Sequence, residues 1–376
     1  KTCEVISPNL VSGKRYVYNF LLTRGTEDAI TFTTSIVDWD ENANVTDLEP
    51  LDPALTYVTY TDGTTKSFDI EGVIEAEQSI YVRPTEMIDN VKNATSIKVG
   101  NKVTSIGYKA FAGCKYLTKI DIPSSVQSLG EYAFSQCDAL TELTLPEGIT
   151  VLPKRLFSYQ NGWNYGAASL SKVNLPSTLT TIGESAFAGC PSLKSINIPA
   201  SVTEIEQFAF NETNLEQVTF NGPVHLGMSA FSGCNNIEKV SIPAGSVLET
   251  NCFRQNLGRN PNNGLGSAKS THLIEVTFEG KVIINGYAQF WGCVNLGRIN
   301  YLSTELPEFS LEGITESYNA WSSTKAENAM GYNTRESGNN LFCVPANATY
   351  TEADLDVFTP VVFNSEYCGF TLSKTL

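Results

Sequence analysis

The chain has 376 residues, of which 41% are hydrophobic, enough to bury a sizeable core in one elongated domain or two ordinary ones. Its 40 acidic residues outnumber 25 Lys and Arg and leave a formal charge of −15, which argues against nucleic acid or an anionic membrane surface as partner, since both need clustered cations. No run approaches the roughly 18 apolar residues that span a bilayer; the chain opens at Lys1 without a signal-peptide pattern, so a leader removed ahead of Lys1 is expected.

In chain order, residues 1–41 read as β-strand, with Arg15 to Leu22 and Ala29 to Ile36 closing on Asp38-Trp39. Residues 42–92 read as a linker and N-terminal cap, with a hairpin signal at Thr61-Asp62-Gly63. Asp38, Asp40, Asn42 and Asn44 alternate like the start of a calcium loop, but Ala43 stands where such a loop needs Gly, so a solvated acidic linker is expected and no metal.

From about residue 94 to residue 300 one unit recurs with a period of 23 residues: Leu117, Ile120, Ile122-Pro123, Val126, Leu129-Gly130, Ala133-Phe134, Cys137, then Leu140, Leu143, Leu145-Pro146. Further copies start at Leu170 and Leu193, and an earlier one supplies Val103, Ile106-Gly107, Ala110-Phe111 and Cys114. Lys119 to Ile122 alternates polar and apolar, the pattern of a strand with one buried face, and Pro123 ends it. Spacings of three and four then predict a turn and a short helical segment. One unit cannot bury its apolar face alone; stacked copies can, each Phe over the next.

This unit resembles the 23-residue leucine-rich repeat of BspA-like bacterial surface proteins. The resemblance implies a leucine-rich repeat solenoid, with a parallel sheet on one face and short helical turns opposite, over residues 93–345, and a C-terminal cap over 346–376. It also implies a cell-surface or secreted protein, often an adhesin or host-binding protein, with no catalytic residues. Leu152-Pro153, the copy from Val247 to Phe253 and that from Ile284 to Phe290 depart from the pattern. Gly13-Lys14-Arg15-Tyr16 and Ile36-x-Asp38-Trp39 resemble the last strands of bacterial fimbrillin-like domains, which implies a remnant of a larger surface protein.

The repeat accounts for most chemistry-bearing residues. Cys114, Cys137, Cys190, Cys234 and Cys293 each follow the repeat Phe by three, which favours burial over metal or redox chemistry, and no Cys-x-x-Cys pair occurs. Cys3, Cys252, Cys343 and Cys368 lie outside that series, and a bridge between the last two is one option. Ser185 and Ser229 sit in segments that begin like Gly-x-Ser-x-Gly, but the closing Gly is a repeat Phe and sister copies place Lys109 and Tyr132 at the same point. His225 and His272 adjoin repeat strands and are expected to be structural. Gly264 to Lys269 lacks the register of a phosphate loop.

Two regions are candidates for binding. Outward side chains of the strands should form two rows, one from Lys119, Glu142 and Lys172 to Arg298, the other from Asp121, Thr144, Asn174 and Asn197 to Asn300. The second row suits either stacked polar ladders or a polar ligand such as a glycan. Three insertions follow Phe157, Phe253 and Phe309 and are expected to leave the coil at one edge; they carry Tyr159, Trp163 and Tyr165, and Tyr318, Trp321 and Tyr332. Exposed aromatic rings offer large, stiff contact area. The expected function is non-catalytic binding or adhesion by a monomer, toward a host or surface protein or a glycan, without cofactor; the alternatives are glycan capture for nutrient uptake and a structural pilus or assembly role.

Overall fold

The computed structural model describes the backbone of residues 15–20 and 32–37, and residues 51–74, 88, 90–158, 167–255, 272–285, 289–290, 293, 295–305, 307–310, 341–349 and 371–373. The chain divides into two units, 1–52 and 53–376. In the first, the expected strands form an antiparallel pair, Arg15–Phe20 with Phe32–Val37.

The second unit opens with a hairpin, Thr56–Tyr60 against Thr65–Phe68. Gly63 takes the left-handed conformation the turn requires, at φ 82°, and Asp62 Oδ1 accepts from the Thr64 amide (2.9 Å) and hydroxyl (2.7 Å). Thr56–Tyr60 also pairs antiparallel with Ala94–Lys98, which in turn pairs in parallel with Lys119–Asp121. That strand switches the chain into the repeats.

Each repeat contributes a face strand whose apolar residues point inward: Ser195–Ile198 buries Ile196 and Ile198 and exposes Ser195 and Asn197. The face strands stack in parallel, in register, as in Glu142–Thr144 with Lys172–Asn174 and Ser195–Ile198 with Gln217–Phe220. A longer run joins Lys239–Ile242, Glu275–Phe278, Arg298–Tyr301, Leu341–Cys343 and Thr371–Ser373.

The remainder of the coil departs from the expected helical turns. The only helix among the described residues is one 3₁₀ turn, Val91–Asn93. The Val-x-x-Leu segment instead makes a second parallel ladder of mostly two-residue side strands, which runs unbroken through seven of them from Val151–Leu152 to Glu308–Ser310. The Ala-Phe segment is a tight turn in which successive amides alternate their partners. Ala110, Ala112 and Cys114 donate to carbonyls three residues back, whereas Lys109, Phe111 and Gly113 donate to Glu131, Ala133 and Ser135 of the next coil. Half of the amides are thereby spent between coils, so a helix cannot form; spacings of three and four are common to both arrangements.

At the position before the Ala-Phe pair or its equivalent, this turn holds seven non-glycine residues in the left-handed region, Lys109, Tyr132, Arg155, Ser185, Phe208, Ser229 and Asn251. Ser185 and Ser229 are two of them and are nearly buried, which assigns both serines to the turn. Backbone crowding is tightest at Gly130: a β-carbon there would lie 2.3 Å from the Gly107 carbonyl carbon of the preceding coil.

Inside, the repeat phenylalanines form one column. Phe111, Phe134, Phe157, Phe187, Phe210, Phe231, Phe253 and Phe290 stack with centroid distances of 4.9–5.9 Å, so the irregular copies at Val247 to Phe253 and Ile284 to Phe290 keep their place. Each buried ring contributes on the order of 1.5–3 kcal/mol. The thiols of Cys114, Cys137, Cys234 and Cys293 donate to carbonyls one coil back, at 3.1–3.3 Å. Where Cys is replaced, the hydroxyl of Thr213 lies 3.1 Å from Cys234 Sγ. All seven described cysteines are buried and free, Cys343 included; Cys368 lies outside the described residues.

Phe157 and Phe253 mark where two insertions start, and Ala167 rejoins the stack by donating to the Phe157 carbonyl. The third differs from expectation. Phe309 lies in a side strand opposite Ile284, the place taken by Leu129 in an earlier coil, and not in the Phe column. Its insertion is therefore not counted from the same point of the coil.

Candidate ligand-binding face

The outward rows of the face strands are where the sequence places them, and neighbouring coils satisfy part of their hydrogen bonding. Lys172 is paired with Glu142. Asn174 Nδ2 donates to Thr144 Oγ1 at 2.8 Å and to Glu142 Oε1 at 3.3 Å. Asn197 Oδ1 accepts from Asn221 Nδ2 at 2.8 Å, and Asn300 donates to Thr277 and Glu275. The carboxyl of Glu142 is held below the usual range by its hydrogen bond and attraction to Lys172.

The face is not flat. Between Gln217–Phe220 and Glu275–Phe278 it carries a groove of about 830 Å³, whose lining includes Thr219, Lys239, Ser241, Glu275, Thr277 and Glu279. It lies where the face sheet is interrupted, since Gln217–Phe220 and Lys239–Ile242 belong to separate hydrogen-bonded sheets. Within it Lys239 pairs with Glu275 at 2.9 Å, and the Ser241 hydroxyl donates to Glu279 Oε1 at 2.6 Å. Hydrogen bonding by Lys239, aided by Asn300, holds the Glu275 carboxyl below its ordinary range. The groove offers charge and hydrogen-bond groups on a backbone fixed by stacking.

Of the candidate residues read from sequence, Asn197 comes closest to this groove, because it is paired in register with Thr219. Lys172 and Asn174 share the face one coil earlier. Tyr159, Trp163, Tyr165, Tyr318, Trp321 and Tyr332 lie outside the described residues, as do the calcium-like and phosphate-like segments. The structure adds a contact that sequence reading missed. On the side ladder, His225 Nδ1 lies 2.8 Å from Glu204 Oε2 and Nε2 lies 2.9 Å from Glu249 Oε1. Carboxylates only accept, and a neutral imidazole has one N–H, so both contacts are hydrogen bonds only when the ring is charged. Partial burial opposes that charge, but the two carboxylates outweigh it and raise the pKa. Glu204 and Glu249 stand 21 and 24 residues from His225, about one coil each way; aligning the copies would have found them.

No helix of the described residues is long and apolar enough to cross a membrane, and these residues contain no cluster of His, Cys, Asp and Glu able to hold a metal ion.

Comparison with known proteins agrees with the repeat. Residues 84–165 and 160–258 match the model described as BspA type leucine rich repeat region, in six copies; the matched span excludes the N-terminal strands, whose fimbrillin-like resemblance rests on their residues alone. No curated protein matches. Among solved structures, the chain is similar to a leucine-rich repeat protein from Bacteroides ovatus, at 23% identity and TM-score 0.39 over 82% of this chain and 80% of that one. It is also similar to a leucine rich cell surface protein from Faecalibacterium prausnitzii, at 20% identity and TM-score 0.30 over 82% and 91%, and to the pneumococcal vaccine antigen PcpA, at 16% and 0.38 over 90% and 93%. With the stacked coils and the matched model together, residues 84–258 of this chain are a BspA-type leucine-rich repeat region.

Proposed function

We propose that this chain is a non-catalytic binding protein of the cell surface or extracellular space, and that it engages a protein or glycan ligand across the face sheet, with the groove around Thr219, Lys239, Ser241 and Thr277 as its centre. The observation that carries this reading is the 830 Å³ groove on an ordered, polar face, a volume within the range of ligand sites. Leucine-rich repeats serve many partners, so the site and not the fold argues for the ligand. Its hydrogen-bonding side chains suit a partner surface or a sugar equally, and its paired charges supply orientation.

The test is a Ser241→Arg/Thr277→Arg double variant, which fills the groove without touching the core. Binding is measured on a glycan array and on immobilised extracellular matrix proteins. Loss of the wild-type signal supports the groove. Unchanged binding by this variant, together with loss on Trp163→Ala/Trp321→Ala, moves the site to the insertions carrying Tyr159, Trp163, Tyr165, Tyr318 and Trp321.

A further inference from the structure

A second cavity, of about 300 Å³, is built from the turn side of the first coils and shares no residue with the groove on the face. Its lining includes Lys92, Lys109, Lys115, Tyr132, Ser135 and Gln136 and contains no carboxylate. In a chain of formal charge −15, three ammonium groups at one small opening run against the overall composition.

The arrangement follows from the stacking. Lys92 and Lys115 stand 23 residues apart, at one position of successive coils, and the register between those coils is fixed by the thiol of Cys114 donating to the Val91 carbonyl at 3.3 Å. The Lys92 side chain extends toward Gly113, its ε-carbon 4.0 Å from where a β-carbon would stand. Neither Lys92 nor Lys115 forms an ion pair among the described residues. Lys109 Nζ lies 5.0 Å from the ring centroid of Tyr108 and 5.3 Å from that of Tyr132. Tyr132 is buried, and its hydroxyl accepts from Arg155 Nη1 at 2.9 Å, so the wall that positions Lys109 is itself held.

Like charges at adjacent stacked positions repel, and a bound anion reverses the sign of that interaction. We propose that this cavity is a site for a small oxyanionic group: a sulfate ester, phosphate ester or carboxylate. Lysine ammonium groups act as compact charges with three donors each and so accept such groups without fixed geometry. A volume at the lower end of ligand sites admits the charged group and one small body attached to it. The group can arrive as a free anion or as the charged substituent of an acidic glycan.

The experiment titrates the full chain with sodium sulfate, a sulfated disaccharide and its unsulfated counterpart, at ionic strength matched with chloride, and follows binding by calorimetry. Wild type is compared with Lys92→Gln/Lys115→Gln, both positions being exposed, and with Lys281→Gln as a distant control. Saturable binding of sulfate and disaccharide with equal strength supports a site for the anion itself; tighter binding of the sulfated disaccharide supports the glycan source. In either case the double variant should bind at least about tenfold more weakly, while Lys281→Gln and the groove variant Ser241→Arg/Thr277→Arg bind as wild type. Equal binding by the double variant, or no saturation with either anionic probe, overturns the proposal, and neither result bears on the face groove.

Discussion

Removing one ring from the middle of the phenylalanine column is the most direct test of how the repeats hold together. Phe210 lies between Phe187, at 5.0 Å and 3° between ring planes, and Phe231, at 4.9 Å and 7°, and is fully buried. Phe210→Ala should cost about 3–5 kcal/mol through lost burial and the cavity left behind. Stacking itself is isolated by Leu substitutions in a double-mutant cycle. Phe187→Leu and Phe210→Leu should show a coupling of about 0.5–1.5 kcal/mol. Phe134→Leu and Phe210→Leu, with two rings between them, should add within about 0.5 kcal/mol. Urea denaturation followed by far-UV circular dichroism gives these values if the slope with denaturant is unchanged. Zero coupling for the adjacent pair, or equal coupling for the remote one, would refute the argument that each ring is stabilised by its immediate neighbours.

Gly130→Ala should destabilise by more than about 2 kcal/mol, since its β-carbon meets the Gly107 backbone at 2.3 Å; Gly222→Ala, whose nearest contact is 3.1 Å, should be milder in the same denaturation assay. His225 has a raised pKa in the folded state, so its contribution to stability is fully present below the ordinary histidine value and is lost as pH rises through the raised one. His225→Gln should flatten that part of the stability profile measured by thermal melts from pH 5 to pH 9; an unchanged profile would count against a charged ring between Glu204 and Glu249. Burial pushes the thiols of Cys190 and Cys234 up to about 12, which leaves roughly one thiolate in ten thousand at pH 8. Iodoacetamide should therefore label neither in the native protein and both in denaturant, as read by peptide mass spectrometry.

The face strands, the Phe column and the cysteine series were legible because each is written as a side-chain pattern that the coil repeats. Ile196, Ile198, Phe187 and Cys190 all lie where their periodicity puts them. The turn conformation was not legible. Ala110 and Ala112 bond locally while Lys109 and Phe111 bond to the next coil, and no side-chain pattern distinguishes that alternation from a helical turn. The face rows were read correctly, but the groove was not, because it spans Gln217–Phe220, Lys239–Ile242 and Glu275–Phe278, strands whose sequences look like any others of the face. Phe309 was misplaced because identity alone suggested a repeat Phe, whereas pairing with Ile284 fixes it as a side-strand residue.

The alternating amides of the turn also constrain how such a chain can change its length over evolutionary time. Because the Phe187 amide is satisfied by Ala209, and that of Phe210 by Ala230, deleting part of a turn strands donors in the coil below. Removing a whole coil lets the same donors meet the next copy. Whole coils are therefore the natural unit of gain and loss, and smaller changes fall in the stretches that link the ladders: Phe157 is followed by an excursion that returns at Ala167, and Ile198 and Ile205 are seven positions apart whereas their partners Phe220 and Leu226 are six apart. A lineage built this way diversifies by counting coils and decorating their joints, with the hydrogen-bond scheme acting as its reading frame.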